Sequence, residues 1–209
     1  MTLVECLKPL PLVAVLRGIS PAEVDGVADA LTFAGFRILE VTLNSPRPFD
    51  SIGMLAKRVG ASALVGAGTV IDPADVMRVK EAGGRLVVMP HADVAVIREA
   101  KNQGLVCIPG VATPTEAFAA LAAGADALKM FPAEALPPAA LKAWRAVLPR
   151  DALVFAVGGM KPDNLAPYWD AGADGFGTGS NLYKPGASAA SVREAAAAYA
   201  RGVAALPKR

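Results

Sequence analysis

Lys129 lies near the end of the short apolar run Ala127-Leu128-Lys129-Met130, which is followed by Phe131-Pro132. Lysine is rarely buried. A lysine placed this way either lays its stem along apolar surface with the ammonium in water, or is a desolvated amine of lowered pKa that attacks a carbonyl. A free lysine titrates near ~10.4, so only about 0.04% is neutral at pH 7. Apolar walls and a nearby cation both push that value down, and a shift of about three units, roughly 4 kcal/mol, makes the neutral amine abundant. Two further residues fit such chemistry. Glu40, within Ile38-Leu39-Glu40-Val41-Thr42, is a candidate general acid/base, and Arg17, just after an apolar run at 12–16, is a candidate second cation. Each also has a structural reading, a buried ion pair for Glu40 and a strand-end ion pair for Arg17.

A second group of residues suits an anion. Gly158-Gly159 and Gly177-Thr178-Gly179-Ser180 follow two late apolar runs. Small residues there let backbone N–H groups approach phosphate oxygens, so Gly158, Gly159, Gly179 and Ser180 are candidate phosphate contacts. His91 is the single histidine. Without a cluster of ligands it gives no zinc site, and no metal or organic cofactor is expected. The glycines make no Gly-x-Gly-x-x-Gly signature after the first run, which argues against dinucleotide binding.

These residues must be positioned by a repeating frame. Eight β-like runs, at 12–16, 37–43, 63–67, 86–89, 105–108, 125–130, 153–157 and 174–178, alternate with helix-like stretches. Among the latter are 21–34, 73–82, 93–103, 115–123 and an alanine-rich tail at 188–205. Start signals are Ser20-Pro21 with Glu23, Asp72-Pro73 and Pro114-Thr115-Glu116, and stop signals are Gly35, Gly83, Gly104, Gly124 and Gly172. Run ends recur at roughly 20- to 29-residue spacing, which predicts an α/β protein, a single (β/α)₈ TIM barrel over residues 1–209. Chemistry in such barrels collects at the C-terminal strand ends, where Arg17, Glu40 and Lys129 all fall. Side chains alternate across a strand. If Leu128 and Met130 pack under the helices, Lys129 points into the barrel, and the same parity sends Glu40 and Arg17 inward.

The bulk numbers exclude several classes. Net charge is +2, which gives no general case for nucleic acid or membrane. No uncharged stretch reaches the roughly 18 to 20 residues of a membrane span. Glu5, Lys8, Pro9 and Pro11 interrupt the apolar start and spoil a signal-peptide reading. Cys6 and Cys107 stand far apart, outside any Cys-x-x-Cys pattern, as free thiols in a reducing cytoplasm do.

In order along the chain come Leu16-Arg17-Gly18-Ile19, Glu40-Val41-Thr42-Leu43, Gly66-Ala67-Gly68-Thr69-Val70, Pro109-Gly110, Leu128-Lys129-Met130-Phe131-Pro132 and Val157-Gly158-Gly159. With these motifs the chain resembles the KDPG (2-keto-3-deoxy-6-phosphogluconate)/4-hydroxy-2-oxoglutarate aldolase family over essentially its full length. The resemblance implies a metal-independent class I aldolase, commonly a homotrimer, with Lys129 as Schiff-base lysine and Glu40 as proton-transfer residue. It assigns Arg17 and Thr69 to the pyruvate-derived part of a small phosphorylated 2-keto-3-deoxy sugar acid. The phosphate positions it implies match Gly158, Gly159, Gly179 and Ser180. Asn44-Ser45-Pro46 replaces the Arg-Thr pair usual in gluconate-type members, and Val157 replaces a threonine. Asn44 and Val157 are therefore specificity candidates that point to the phosphogalactonate branch. The gluconate epimer, 4-hydroxy-2-oxoglutarate, phosphosugar epimerase or isomerase chemistry and non-catalytic phosphate binding are the rival readings. His91 and Glu134 are placed near the mouth without a role.

Overall fold

The computed structural model describes residues 2–208. Its strands are β1 (Leu12–Leu16), β2 (Ile38–Thr42), β3 (Leu64–Gly68), β4 (Leu86–Val88), β5 (Val106–Ile108), β6 (Gly110–Val111), β7 (Leu128–Met130), β8 (Val154–Val157) and β9 (Gly175–Thr178). Every pairing is parallel, in the order β5-β4-β3-β2-β1-β9-β8-β7-β6. β5 and β6 are two halves of one run, interrupted by Pro109, which has no N–H to donate to a ladder. Backbone bonds cross this seam: Asp126 N donates to the Cys107 carbonyl (3.0 Å) and Lys129 N to the Pro109 carbonyl (2.8 Å). The Asp126 carboxylate also accepts from Cys107 N (2.8 Å) and Lys101 Nζ (2.6 Å). With that seam bridged, the expected eight-run barrel is what the chain forms.

Helices α2 (Val24–Phe33), α3 (Pro48–Val59), α4 (Pro73–Glu81), α5 (Val94–Asn102), α6 (Pro114–Ala122), α7 (Pro138–Arg145), α8 (Leu165–Asp170) and α9 (Ala189–Ala204) lie between and after the strands. Their ends follow local chemistry. Asp72 and Asp93 cap α4 and α5 through their side chains. Gly35, Gly83, Gly104, Gly124 and Gly172 all have positive φ just past helix ends, as the sequence predicts. The start of α6 differs: it begins at Pro114, one residue before the expected Thr115, because Thr113 is the cap and Glu116 reaches back to its N–H in a capping box. No described helix is long and apolar enough to cross a membrane.

The core has two layers. Leu128 and Met130 join the layer between strands and helices, whereas Ala127 faces inward with Val13, Ile38, Leu64, Val88, Ile108 and Phe155. This is the parity the sequence predicts. One element was not expected: α1 (Leu3–Leu7), capped by Thr2 and Glu5, buries Leu3 and Cys6 in that inner layer. It closes the barrel end remote from the C-terminal strand ends.

Candidate active site

Lys129 and Glu40 are held on β7 and β2 and are 7% and 1% exposed. They line one narrow space with Val15, Val88, Phe155 and Val157. Among the described residues neither takes part in a direct ion pair, yet each senses the other's charge. Burial lowers the Lys129 pKa; Glu40 opposes the shift and Arg17 adds to it. Burial raises the Glu40 pKa, against the pull of Lys129 and Arg17. The Lys129 ammonium nitrogen also lies 4.6 Å from the Phe131 ring centre. Glu40 Oε2 is buried without a hydrogen-bond partner. A carboxylate oxygen left this way is free to exchange a proton with a bound substrate or water. Gly68 makes room for it, since a Cβ there would stand 2.8 Å from the Glu40 carboxyl carbon.

This space adjoins a cavity of about 430 Å³ at the C-terminal strand ends, which suits a small sugar acid. Lys129 lines both. Around the larger cavity stand Arg17, Val157, Gly158, Gly159, Gly179 and Ser180, all expected there. Gly158 and Gly159 have φ of +108° and +66°, a backbone that glycine adopts most readily. Glu134 also lines the cavity, and its carboxylate lies against the Gly158-Gly159 turn. Exposed His91 and Asn44 are not among the residues lining this cavity. Thr69 is not among them either; it sits half-buried just after β3 with φ +59°, an uncommon conformation for a β-branched residue.

Sequence reasoning missed the wall made by Asn181, Tyr183, Lys184 and Pro185. The strand-end rule reaches Ser180 and would have found Lys184 only if carried four residues further into the loop. Thr42 and Ser45 also do unforeseen work: their hydroxyls are 3.1 Å apart, and Ser45 Oγ accepts from Gly18 N (2.8 Å). That pair ties the Arg17 loop to the end of β2. The arrangement joins a desolvated amine, a buried carboxylate and two glycine-bearing turns along adjoining spaces. It can activate a carbonyl at one end and hold a phosphate at the other.

The chain is similar to known proteins. A protein of Rhizobium meliloti (strain 1021) described as a probable 2-dehydro-3-deoxy-6-phosphogalactonate aldolase is 52% identical over 188 residues, covering 90% of this chain and 89% of its own. The 2-dehydro-3-deoxy-6-phosphogalactonate aldolase of Escherichia coli (strain K12) is 47% identical over 192 residues, 92% of this chain and 94% of its own. A solved structure described as native KDPGal superposes with a TM-score of 0.91 at 47% identity, over 92% of this chain and 94% of that one. The family model for KDPG and KHG aldolase matches residues 3–194, and the chain belongs to that family.

Proposed function

We propose that the protein is a class I aldehyde-lyase that reversibly cleaves 2-dehydro-3-deoxy-6-phospho-D-galactonate to pyruvate and D-glyceraldehyde 3-phosphate. The observation that carries this reading is the buried Lys129 amine, lowered in pKa, beside the buried Glu40 carboxylate. Lys129 Nζ adds to the C2 ketone, and Glu40 moves the protons by which the carbinolamine loses water to give an iminium. The C4 hydroxyl then gives up its proton and the C3–C4 bond breaks. Its electron pair flows into the iminium, leaving an enamine and the aldehyde. Protonation at C3 and hydrolysis return pyruvate and the free amine.

In this reading Arg17 and Thr69 hold the pyruvate carboxylate end, and Gly158, Gly159, Gly179 and Ser180 hold the phosphate. The galactonate preference is supported by the described activity of the two relatives and by Val157 in the cavity wall. The exposed position of Asn44 leaves Val157 as the stronger of the two specificity candidates. A cytoplasmic homotrimer belongs to the same reading and is supported by family membership.

Borohydride reduction in the presence of pyruvate tests the mechanism: a pyruvyl adduct on Lys129 is expected, and its absence refutes the Schiff base. Comparing kcat/KM for the two C4-epimeric substrates tests the branch. A clear preference for the gluconate epimer would overturn it.

A further inference from the structure

The wall that faces the Gly158-Gly159 turn is the segment after β9, through Tyr183, Lys184 and Pro185. It is held by a residue from the opposite end of the sequence. Glu23 closes the 3₁₀ turn Pro21–Glu23 that leads into α2. Its Oε1 accepts from Tyr183 Oη (2.7 Å) and from Gly186 N (2.7 Å). Its Oε2 accepts from Ser20 N (2.9 Å) and Ser20 Oγ (2.5 Å). Burial alone would raise the Glu23 pKa, but these four bonds more than offset it and hold the value at about 2. The carboxylate is therefore charged throughout the working pH range. Burial and the same bond push the Tyr183 pKa upward, so the tyrosine stays a donor.

Two further contacts extend the tie. Pro185 packs on Gly18, where a Cβ would stand 2.7 Å from Pro185 Cγ. Gly18 N in turn donates to Ser45 Oγ (2.8 Å). One carboxylate thus fastens the loop that carries Arg17 to the wall beyond Ser180. On the proposed function above, these are the loops that hold the two charged ends of the substrate.

We propose that Glu23 is a positioning residue that acts through Tyr183 to fix the phosphate wall of the site relative to the Arg17 loop. Capping the 3₁₀ turn Pro21–Glu23 alone needs only the Ser20 bonds on Oε2. The bonds from Tyr183 and Gly186 on Oε1 have no part in the cap, and they are the ones that reach the cavity wall. A cap protects stability and affects every substrate equally. A positioning residue for this wall affects the phosphorylated end selectively.

The test runs the reaction in the condensation direction with pyruvate and two aldehydes, D-glyceraldehyde 3-phosphate and D-glyceraldehyde. For Glu23→Ala, the ratio of kcat/KM on the phosphorylated aldehyde to that on the plain one should fall about tenfold, ~1.4 kcal/mol. The loss should fall mainly on the KM for the phosphorylated aldehyde, with the KM for pyruvate within about twofold of wild type, ~0.4 kcal/mol. Tyr183→Phe should lower the same ratio in the same direction. Glu23→Gln keeps an acceptor for Tyr183 and Gly186 and should recover most of it. If Glu23→Ala does not fold, Tyr183→Phe and Glu23→Gln decide the matter. An unchanged ratio in Tyr183→Phe, or equal losses on both aldehydes, would overturn the inference and leave Glu23 a cap. Borohydride trapping of pyruvate on wild-type Lys129 separates the two levels. No trapping refutes the proposed function, whereas trapping with an unchanged ratio refutes only the role of Glu23.

Discussion

Replacing Glu40 with glutamine keeps the side chain's size but removes its charge and its capacity to carry a proton. Two effects of opposite appearance should follow. Loss of a positioned general acid/base lowers kcat for cleavage about 10²- to 10⁴-fold, or roughly 3 to 5 kcal/mol. The Lys129 amine, meanwhile, loses the carboxylate that favours its ammonium form, so its pKa falls further. Two unit charges 4 Å apart interact by about 4 kcal/mol at an effective dielectric of 20. Among the described residues Glu40 and Lys129 are in no direct ion pair, so their coupling lies below this, and the Lys129 pKa should move further down. The neutral amine is the attacking form, so the acidic limb of pyruvate trapping by borohydride should move to lower pH. Mass spectrometry of the adduct at a series of pH values gives the midpoint, and a lactate dehydrogenase-coupled assay gives cleavage. The plateau of trapping falls with the loss of proton transfer, so the midpoint is the readout; in the wild type it belongs to the Lys129–Glu40 pair. A midpoint that stays fixed or moves upward would refute the coupling, and a kcat within tenfold of wild type would refute the acid/base role.

Val157→Thr should shift the kcat/KM ratio towards the gluconate epimer by about two- to tenfold, the worth of one hydrogen bond of about 0.5–1.5 kcal/mol; no change in the ratio would remove Val157 as a determinant. Gly158→Ala forces a side chain onto φ +108° with its Cβ 3.1 Å from Ala133 N and 2.2 Å from Glu134 Oε2. Thermal unfolding should show a loss of about 1–3 kcal/mol, and the KM for the phosphorylated substrate should rise; an unchanged KM would take the turn out of phosphate binding. Asp126→Ala removes the acceptor shared by Cys107 N and Lys101 Nζ at the Pro109 seam. Denaturant titration should show a cost of about 1–3 kcal/mol from the buried N–H left unpaired, and a cost under 0.5 kcal/mol would show that Cys107 N finds another partner.

The barrel was readable because its signals are local. Alternation in Ala127–Met130, a cap at Asp72 and a glycine at 35 or 83 each act within a few residues, and together they set where Lys129 and Glu40 point. What escaped is what local patterns do not encode. The two hydrogen bonds Glu23 accepts from Tyr183 and Gly186 span 160 and 163 residues, and nothing near either end announces them. The five residues of α1 looked like an interrupted apolar start. Their partners, Val13, Ile38 and Leu64, lie on three separate strands, and only closure of the barrel brings them to Leu3 and Cys6. The break at Pro109 has the same character, since one run serves two neighbours in the ring. Thr113 was passed over for a different reason. Thr115 lies beside it in the same motif, and only the backbone separates cap from first turn: Thr113 is extended at φ −137°.

The plug formed by α1 makes the barrel a vessel with one opening. Among the described residues Leu3 and Cys6 cover the opposite end with an apolar floor, so water meets the amine from the side where substrate enters. The acidity of Lys129 rests on its burial, so it is set in part by the five residues of α1, which lie nowhere near the reaction. Cutting the chain back past Cys6 would open a drain at the base of the vessel. The amine would then be wetted from below and drift towards the pKa of an ordinary lysine, with every residue around the substrate still in place.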